Sequence, residues 1–84
     1  MTQDRRVAVI GLGYVGLPLA IAFSEAGLEV EGIDAWPGRI AELLARTSPI
    51  DDVSDQRLGA ALDRGMRVGS PDDSTISEAL TMAA

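Results

Sequence analysis

The chain opens on a polar stretch, Met1 to Arg6, and then turns apolar: Val7-Ala8-Val9-Ile10 runs without a polar position and stops at Gly11. A short continuous apolar run rich in β-branched residues and closed by glycine predicts a strand buried on both faces. From Tyr14 to Ala26 the apolar residues Val15, Leu17, Leu19, Ala20, Ile21, Ala22 and Phe23 are too dense for a surface helix. They predict a well-buried helix, with Gly27 as its stop. Pro18 is compatible with it, because a helix beginning near Gly13 or Tyr14 puts the proline close to the first turn, where a missing N–H matters little. Leu28 to Asp34 then alternates apolar with polar or small residues and reads as a second strand, completing one βαβ crossover.

Trp36-Pro37-Gly38 marks a turn. Beyond it Ile40, Leu43 and Leu44 fall on one face of a helix predicted over Arg39 to Arg46, which Thr47-Ser48-Pro49 closes. Asp51 to Ser54 is polar. Leu58, Ala61 and Leu62 predict a further helix over Asp55 to Arg64, ended by Gly65, and Met66 to Gly69 suits a short third strand. Ser74 to Ala84 reads as the start of another helix, capped by Ser74 or Ser77. Strands alternating with helices place the fold in the α/β class with a parallel sheet.

Composition narrows the possibilities. Eighty-four residues, 46% hydrophobic and 24% charged, suit one globular domain or part of one. Such a chain hides only about 60 to 65% of its unfolded surface, so its stability is expected to be marginal. Thirteen acidic residues against seven arginines and no lysine give a net charge of -6, which opposes binding to nucleic acid or anionic lipid. Any phosphate must be held by backbone N–H groups and a helix terminus, with an arginine assisting. With no cysteine and no histidine, disulfides, thiolate nucleophiles, imidazole bases and the usual zinc sites are excluded. The polar N-terminus and the glycine-broken apolar stretch after it do not form an export signal, and a cytoplasmic location is expected.

Gly11-Leu12-Gly13-Tyr14-Val15-Gly16 matches G-x-G-x-x-G, whose glycines serve a tight turn, access for a pyrophosphate, and close packing of helix on strand. Taken singly, these glycines fit an ordinary turn and Asp34 a solvated strand end. Context strengthens the motif: it follows a predicted strand, opens a predicted helix, and precedes Asp34 at the end of the next strand, 18 residues beyond Gly16. N–H groups at the helix start then face the pyrophosphate of a dinucleotide, and the Asp34 carboxylate accepts from the adenosine ribose hydroxyls. That carboxylate repels a 2'-phosphate, which favours NAD over NADP. Arg39 is the residue that could meet such a phosphate, and cofactor contact and a solvated helix position suit it equally. Trp36 reads as a packing residue in preference to an adenine platform. Asp51, Asp52 and Asp55 read as a solvated loop and helix cap rather than a metal site.

The longer string Val7 to Ala20, with Gly-Tyr-Val-Gly-Leu-Pro at its centre, resembles the opening of the UDP-glucose/GDP-mannose dehydrogenase family. Ser48-Pro49-Ile50 and Asp52-Val53-Ser54-Asp55 resemble a segment of its members acting on UDP-N-acetylhexosamines or their uronic acids. The resemblance runs from about Val7 to Val68. It implies a Rossmann-type doubly wound sheet, here incomplete at about three strands with flanking helices. It also implies two NAD-dependent oxidations of a sugar C6 alcohol to a carboxylate through a thiohemiacetal on cysteine. The family's catalytic cysteine and lysine have no counterpart in this sequence, so no catalytic residue is assigned. Cofactor roles carry over to Gly11, Leu12, Gly13, Tyr14, Val15, Gly16, Asp34 and Arg39.

Residues 1–84 are therefore expected to be the N-terminal part of an NAD-binding domain without its substrate domain, inactive alone. A truncated or frameshifted frame and a split subunit would each account for Leu80-Thr81-Met82-Ala83-Ala84 standing where the family pattern continues into a strand. The strand at Val7 to Ile10 should then form an apolar sheet edge, open to a second copy or a complementary fragment. A free-standing module that binds NAD or ADP-ribose without catalysis is the alternative. Another dehydrogenase class, of hydroxyacyl or phosphogluconate type, fits the Tyr14–Pro18 string less well.

Overall fold

A computed structural model describes residues 5–72. Strand β1 (Arg6–Ile10) leads into helix α1 (Gly16–Glu25) and strand β2 (Glu29–Ile33). Helices α2 (Pro37–Leu44) and α3 (Asp55–Asp63) follow, and strand β3 (Arg67–Gly69) completes the described elements. The segment expected as a last helix, Ser74 to Ala84, lies outside the described residues.

The three strands form one parallel sheet in the order β1-β2-β3. Val7 faces Val30 and Ile10 faces Ile33 in the first pair, and Glu31 faces Arg67 in the second. Both ladders reach past the strand ends: Gly11 N–H donates to Ile33 O at 2.7 Å, and Asp34 N–H to Gly69 O at 3.1 Å. The loops after β1 and β2 are thereby tied to neighbouring strand ends on one rim of the sheet. This is the α/β Rossmann-like arrangement of parallel strands and flanking helices that the hydrophobic pattern predicts.

α1 lies against β1 and β2 and also packs on α3, while α2 lies against β3. The core these contacts enclose contains Val9, Leu17, Ala20, Ile21, Val30, Leu43 and Leu58, together with Ile50 and Val53 from the connection between α2 and α3. That connection is anchored by its own polar groups. Ser48 N–H donates to Asp55 Oδ1 at 2.8 Å, and the Ser54 side chain caps α3 by accepting from Arg57 N–H at 3.1 Å. Arg57 also grips Glu25 with Nε and Nη2 at 2.9 and 2.8 Å, fastening α3 to the end of α1 and holding the Glu25 carboxyl below its ordinary pKa.

Helix boundaries depart from the sequence pattern for local reasons. α1 begins at Gly16 rather than Tyr14, which leaves Pro18 in the first turn, where its missing N–H removes no helical hydrogen bond. α2 begins at Pro37, whose fixed φ suits a first helical position, and ends at Leu44 instead of Arg46. Arg46 takes the left-handed conformation (φ 63°) that glycine usually supplies at a helix end. Its side chain holds it there, with Nη1 on Gly59 O at 3.2 Å and Nη2 on Asp63 Oδ1 at 2.6 Å.

Leu58 is fully buried at the centre of the packing between α3 and the rest of the core. Replacing it with alanine should lower unfolding stability by about 2 to 5 kcal/mol, read from the midpoint of a urea denaturation curve. For so small a domain that removes much of the folded population.

Candidate functional site

Two turns on the sheet rim come together at the site: the glycine-rich turn from β1 to α1 and the turn from β2 to α2. In the first, Gly11 adopts φ +89°, a conformation costly for any residue with a Cβ. Gly16 is constrained by contact: a Cβ there would lie 1.6 Å from the Gly11 carbonyl oxygen. Gly13 is different, because a Cβ there meets nothing within 4 Å and its φ is unremarkable. The chain's own packing thus requires glycine at 11 and 16 but not at 13, where a small residue leaves room for a group approaching from outside.

The start of α1 is uncapped. Its N-cap position is Val15, which has no side-chain acceptor, and its first turn carries no acidic residue. The N–H groups of Gly13, Tyr14 and Val15 make no hydrogen bond among the described residues. Tyr14 and Val15 hold their side chains out in solvent. Free N–H groups at the positive end of a helix dipole form a receptor for an anion. No side chain among the described residues satisfies them.

Asp34 links the two turns. Its Oδ2 accepts from Leu12 N–H and its Oδ1 from Trp36 N–H, each at 2.9 Å. The Leu12 bond, with help from that of Trp36 and from the Arg39 charge, holds the Asp34 carboxyl below the ordinary aspartate pKa against the opposing effect of burial. A carboxylate has about four acceptor positions, so Asp34 keeps capacity for two hydroxyl donors. Arg39 reinforces the link from α2, donating from Nη1 to Leu12 O at 2.7 Å, with Nε 3.5 Å from Glu42 Oε1. Leu12 is therefore held at both its N–H and its carbonyl, and its buried side chain lies over Gly32. Sequence reasoning places Asp34 and Arg39 near the glycine turn, but the 22- and 27-residue separations of their bonds to Leu12 give no local signal.

Beside the glycine turn, a groove of about 470 Å³ runs between the outer edge of β1 and α1, lined by Ile10, Gly13, Val15, Leu19 and Phe23 among others. Ile10 is 70% exposed there. β1 is the terminal strand of the described sheet; of the apolar edge expected over Val7 to Ile10, Ile10 is exposed, Val7 and Ala8 are half-buried and Val9 is buried. Of the acidic residues expected as loop and cap, Asp51 and Asp52 are exposed, and Asp55, at the start of α3, accepts from Ser48 N–H. No group of three potential metal-ligating side chains occurs among the described residues, and no described helix is long and apolar enough to cross a membrane.

Residues 5–80 match the model of the UDP-glucose/GDP-mannose dehydrogenase family, NAD binding domain. The chain is similar to a UDP-N-acetyl-D-glucosamine 6-dehydrogenase of Pseudomonas aeruginosa, 58% identical over 41 residues, or 49% of this chain and 10% of that protein. It is also similar to a UDP-N-acetyl-D-mannosamine dehydrogenase of Pyrococcus horikoshii, 39% identical over 61 residues, or 71% of this chain and 15% of that protein. A solved structure of a UDP-D-ManNAc dehydrogenase from Pyrococcus horikoshii superposes with a TM-score of 0.72 at 37% identity, covering 77% of this chain and 16% of that one. The chain thus spans only between 10% and 16% of the length of these longer proteins.

Two substitutions test the geometry. Gly16→Ala should cost about 3 kcal/mol or more, because backbone must move to relieve the clash with Gly11; a thermal melt reads it. Asp34→Asn tests the carboxylate. A depressed folded pKa contributes stability that is fully present above the unfolded value and is lost as pH falls through the folded one. The melting-temperature difference between wild type and Asp34→Asn should accordingly be constant above about pH 5 and shrink as the solution is acidified below about pH 4.

Proposed function

Because the chain belongs to the UDP-glucose/GDP-mannose dehydrogenase family through its NAD-binding domain, we propose that the two joined turns hold the ADP portion of NAD. The N–H groups of Gly13, Tyr14, Val15 and Gly16 receive the pyrophosphate, Gly11 and Gly16 shape the turn that presents them, and Asp34 accepts from the adenosine ribose. The observation that carries this reading is the uncapped start of α1, with N–H groups left open beside a glycine that the protein's own packing does not require.

NAD is favoured over NADP by charge and by occupancy. Asp34 is anionic at neutral pH, and Arg39 is already engaged with Leu12 O and close to Glu42. Neither invites a 2'-phosphate. Arg39 and the backbone of Leu12 act by fixing the Asp34 carboxylate relative to the helix start.

When bound, NAD supplies a hydride acceptor for the oxidation of an alcohol. The chain's residues bind and orient its ADP half. By likeness to relatives named for UDP-N-acetyl-D-glucosamine and UDP-N-acetyl-D-mannosamine, the whole enzyme would oxidise the C6 alcohol of a UDP-sugar to a carboxylate. These 84 residues hold neither the cysteine nor the lysine that such chemistry uses, so the substrate-side groups must come from another part of the assembled enzyme. The place of β1 at the end of the described sheet, with Ile10 exposed, supports a partner besides NAD: a further strand, from a complementary dehydrogenase fragment or a second copy. A module that binds NAD or ADP-ribose without catalysis would use the same residues.

Calorimetric titration of the purified chain with NAD, ADP-ribose and NADP tests the assignment. NAD and ADP-ribose should bind, NADP at least about tenfold more weakly, and Asp34→Ala should weaken NAD by about 1.5 to 3 kcal/mol for the lost charged hydrogen bonds. A folded chain that binds none of them contradicts it.

A further inference from the structure

Trp36 is the only tryptophan in the chain, and it belongs neither to the hydrophobic core nor to the residues packed against it. We propose that its indole is the stacking platform for the purine base of the bound dinucleotide, a role that rests on the reading of Asp34 as the ribose acceptor. Three observations carry this. The Trp36 N–H is bonded to Asp34 Oδ1 at 2.9 Å, so the stem of the ring is fixed to the same carboxylate that would hold the ribose, to which the base is directly attached.

The ring is also held in place from the helix side. It lies so close over Gly38 that a Cβ at that position would meet ring atoms Cε2, Cζ2 and Nε1 at 2.9, 3.0 and 3.1 Å. The Arg39 guanidinium, anchored on Leu12 O, sits 5.5 Å from the ring centroid, within cation–π range. An indole restrained by a glycine and an anchored arginine has little rotamer freedom left to lose when a ligand stacks on it.

Despite these contacts the residue is 58% exposed. A packing role would put the ring into the core, where Leu12, Leu43 and Val53 are enclosed. Instead a large planar apolar surface stands open to solvent beside the ribose acceptor. The chemistry that fits it is a neutral planar heterocycle with an extended π face, as in adenine, which gains more from stacking than a phosphate or a sugar does.

The lone tryptophan makes the test direct. ADP-ribose is titrated into the full 84-residue chain, followed both by calorimetry and by tryptophan fluorescence, and the calorimetry is repeated on Trp36→Ala and Trp36→Phe, with circular dichroism to establish that each is folded. The backbone N–H on Asp34 survives both changes. Saturable quenching at the calorimetric dissociation constant is expected, with binding about tenfold weaker in Trp36→Ala and restored to within about threefold of wild type in Trp36→Phe. Heat of binding without quenching, or a folded Trp36→Ala that binds as tightly as wild type, overturns the platform and leaves the cofactor reading standing. No heat from the folded wild-type chain overturns both. Should Trp36→Ala fail to fold, the wild-type quenching and the Trp36→Phe affinity decide by the same criteria.

Discussion

The contact on which the remaining geometry depends is that between Gly16 and the carbonyl of Gly11. Helix α1 can start where it does only because position 16 has no side chain, since a Cβ there would stand 1.6 Å from the Gly11 oxygen. That approach turns the chain from strand to helix within five residues and aims the first turn of α1 along the rim of the sheet. Once the helix is so placed, Val15 falls at its N-cap without an acceptor to offer, and the N–H groups before it remain open. Local stability is thus given up at one end of a helix whose other end is closed conventionally, by Gly27 at φ +91° with Leu28 N–H on Phe23 O at 3.1 Å. An uncapped start costs about 1 kcal/mol, a cost offset elsewhere by the buried face of α1.

The second turn is built onto the first by charge-assisted hydrogen bonds. Asp34 and Arg39 hold the peptide groups on either side of Leu12, and the Leu12 side chain closes down over Gly32. Removing any one of these loosens the others, because the carboxylate, the guanidinium and the leucine all act on one short loop. The consequence for binding is preorganisation: the groups assigned to pyrophosphate, ribose and base are fixed relative to one another before a ligand arrives, so less ordering remains to be done on binding.

Much of this was legible in the sequence, for reasons that differ by element. β1 announces itself as an unbroken run of β-branched and small apolar residues, and β2 by alternation, so both strands and the parallel crossover follow from periodicity. The glycine turn and Asp34 are visible because the nucleotide-binding motif fixes their spacing. Helix ends were less legible: Tyr14 and Val15 look helical by composition, yet the Gly16 contact delays the helix, while Arg46, helical by pattern, supplies a left-handed stop ahead of the expected Thr47-Ser48-Pro49. The bonds from Asp34 and Arg39 to Leu12 join residues far apart in sequence, and no periodicity encodes them. Trp36 shows the same limit: its exposure and its contacts with Gly38 and Arg39 in the first turn of α2 cannot be read from its own apolar character.

The central claim is that the open N–H groups at the start of α1 receive the cofactor's pyrophosphate, and amide-resolved NMR addresses it most directly. In a ¹⁵N–¹H correlation spectrum of the chain titrated with NAD, the account predicts that the Gly13, Tyr14, Val15 and Gly16 amides shift together and saturate at one dissociation constant. The well-buried amides of Leu58 and Ala61 should stay in place. A folded spectrum in which the Gly13 to Gly16 amides do not move, or in which saturable shifts are confined to other regions, would contradict it.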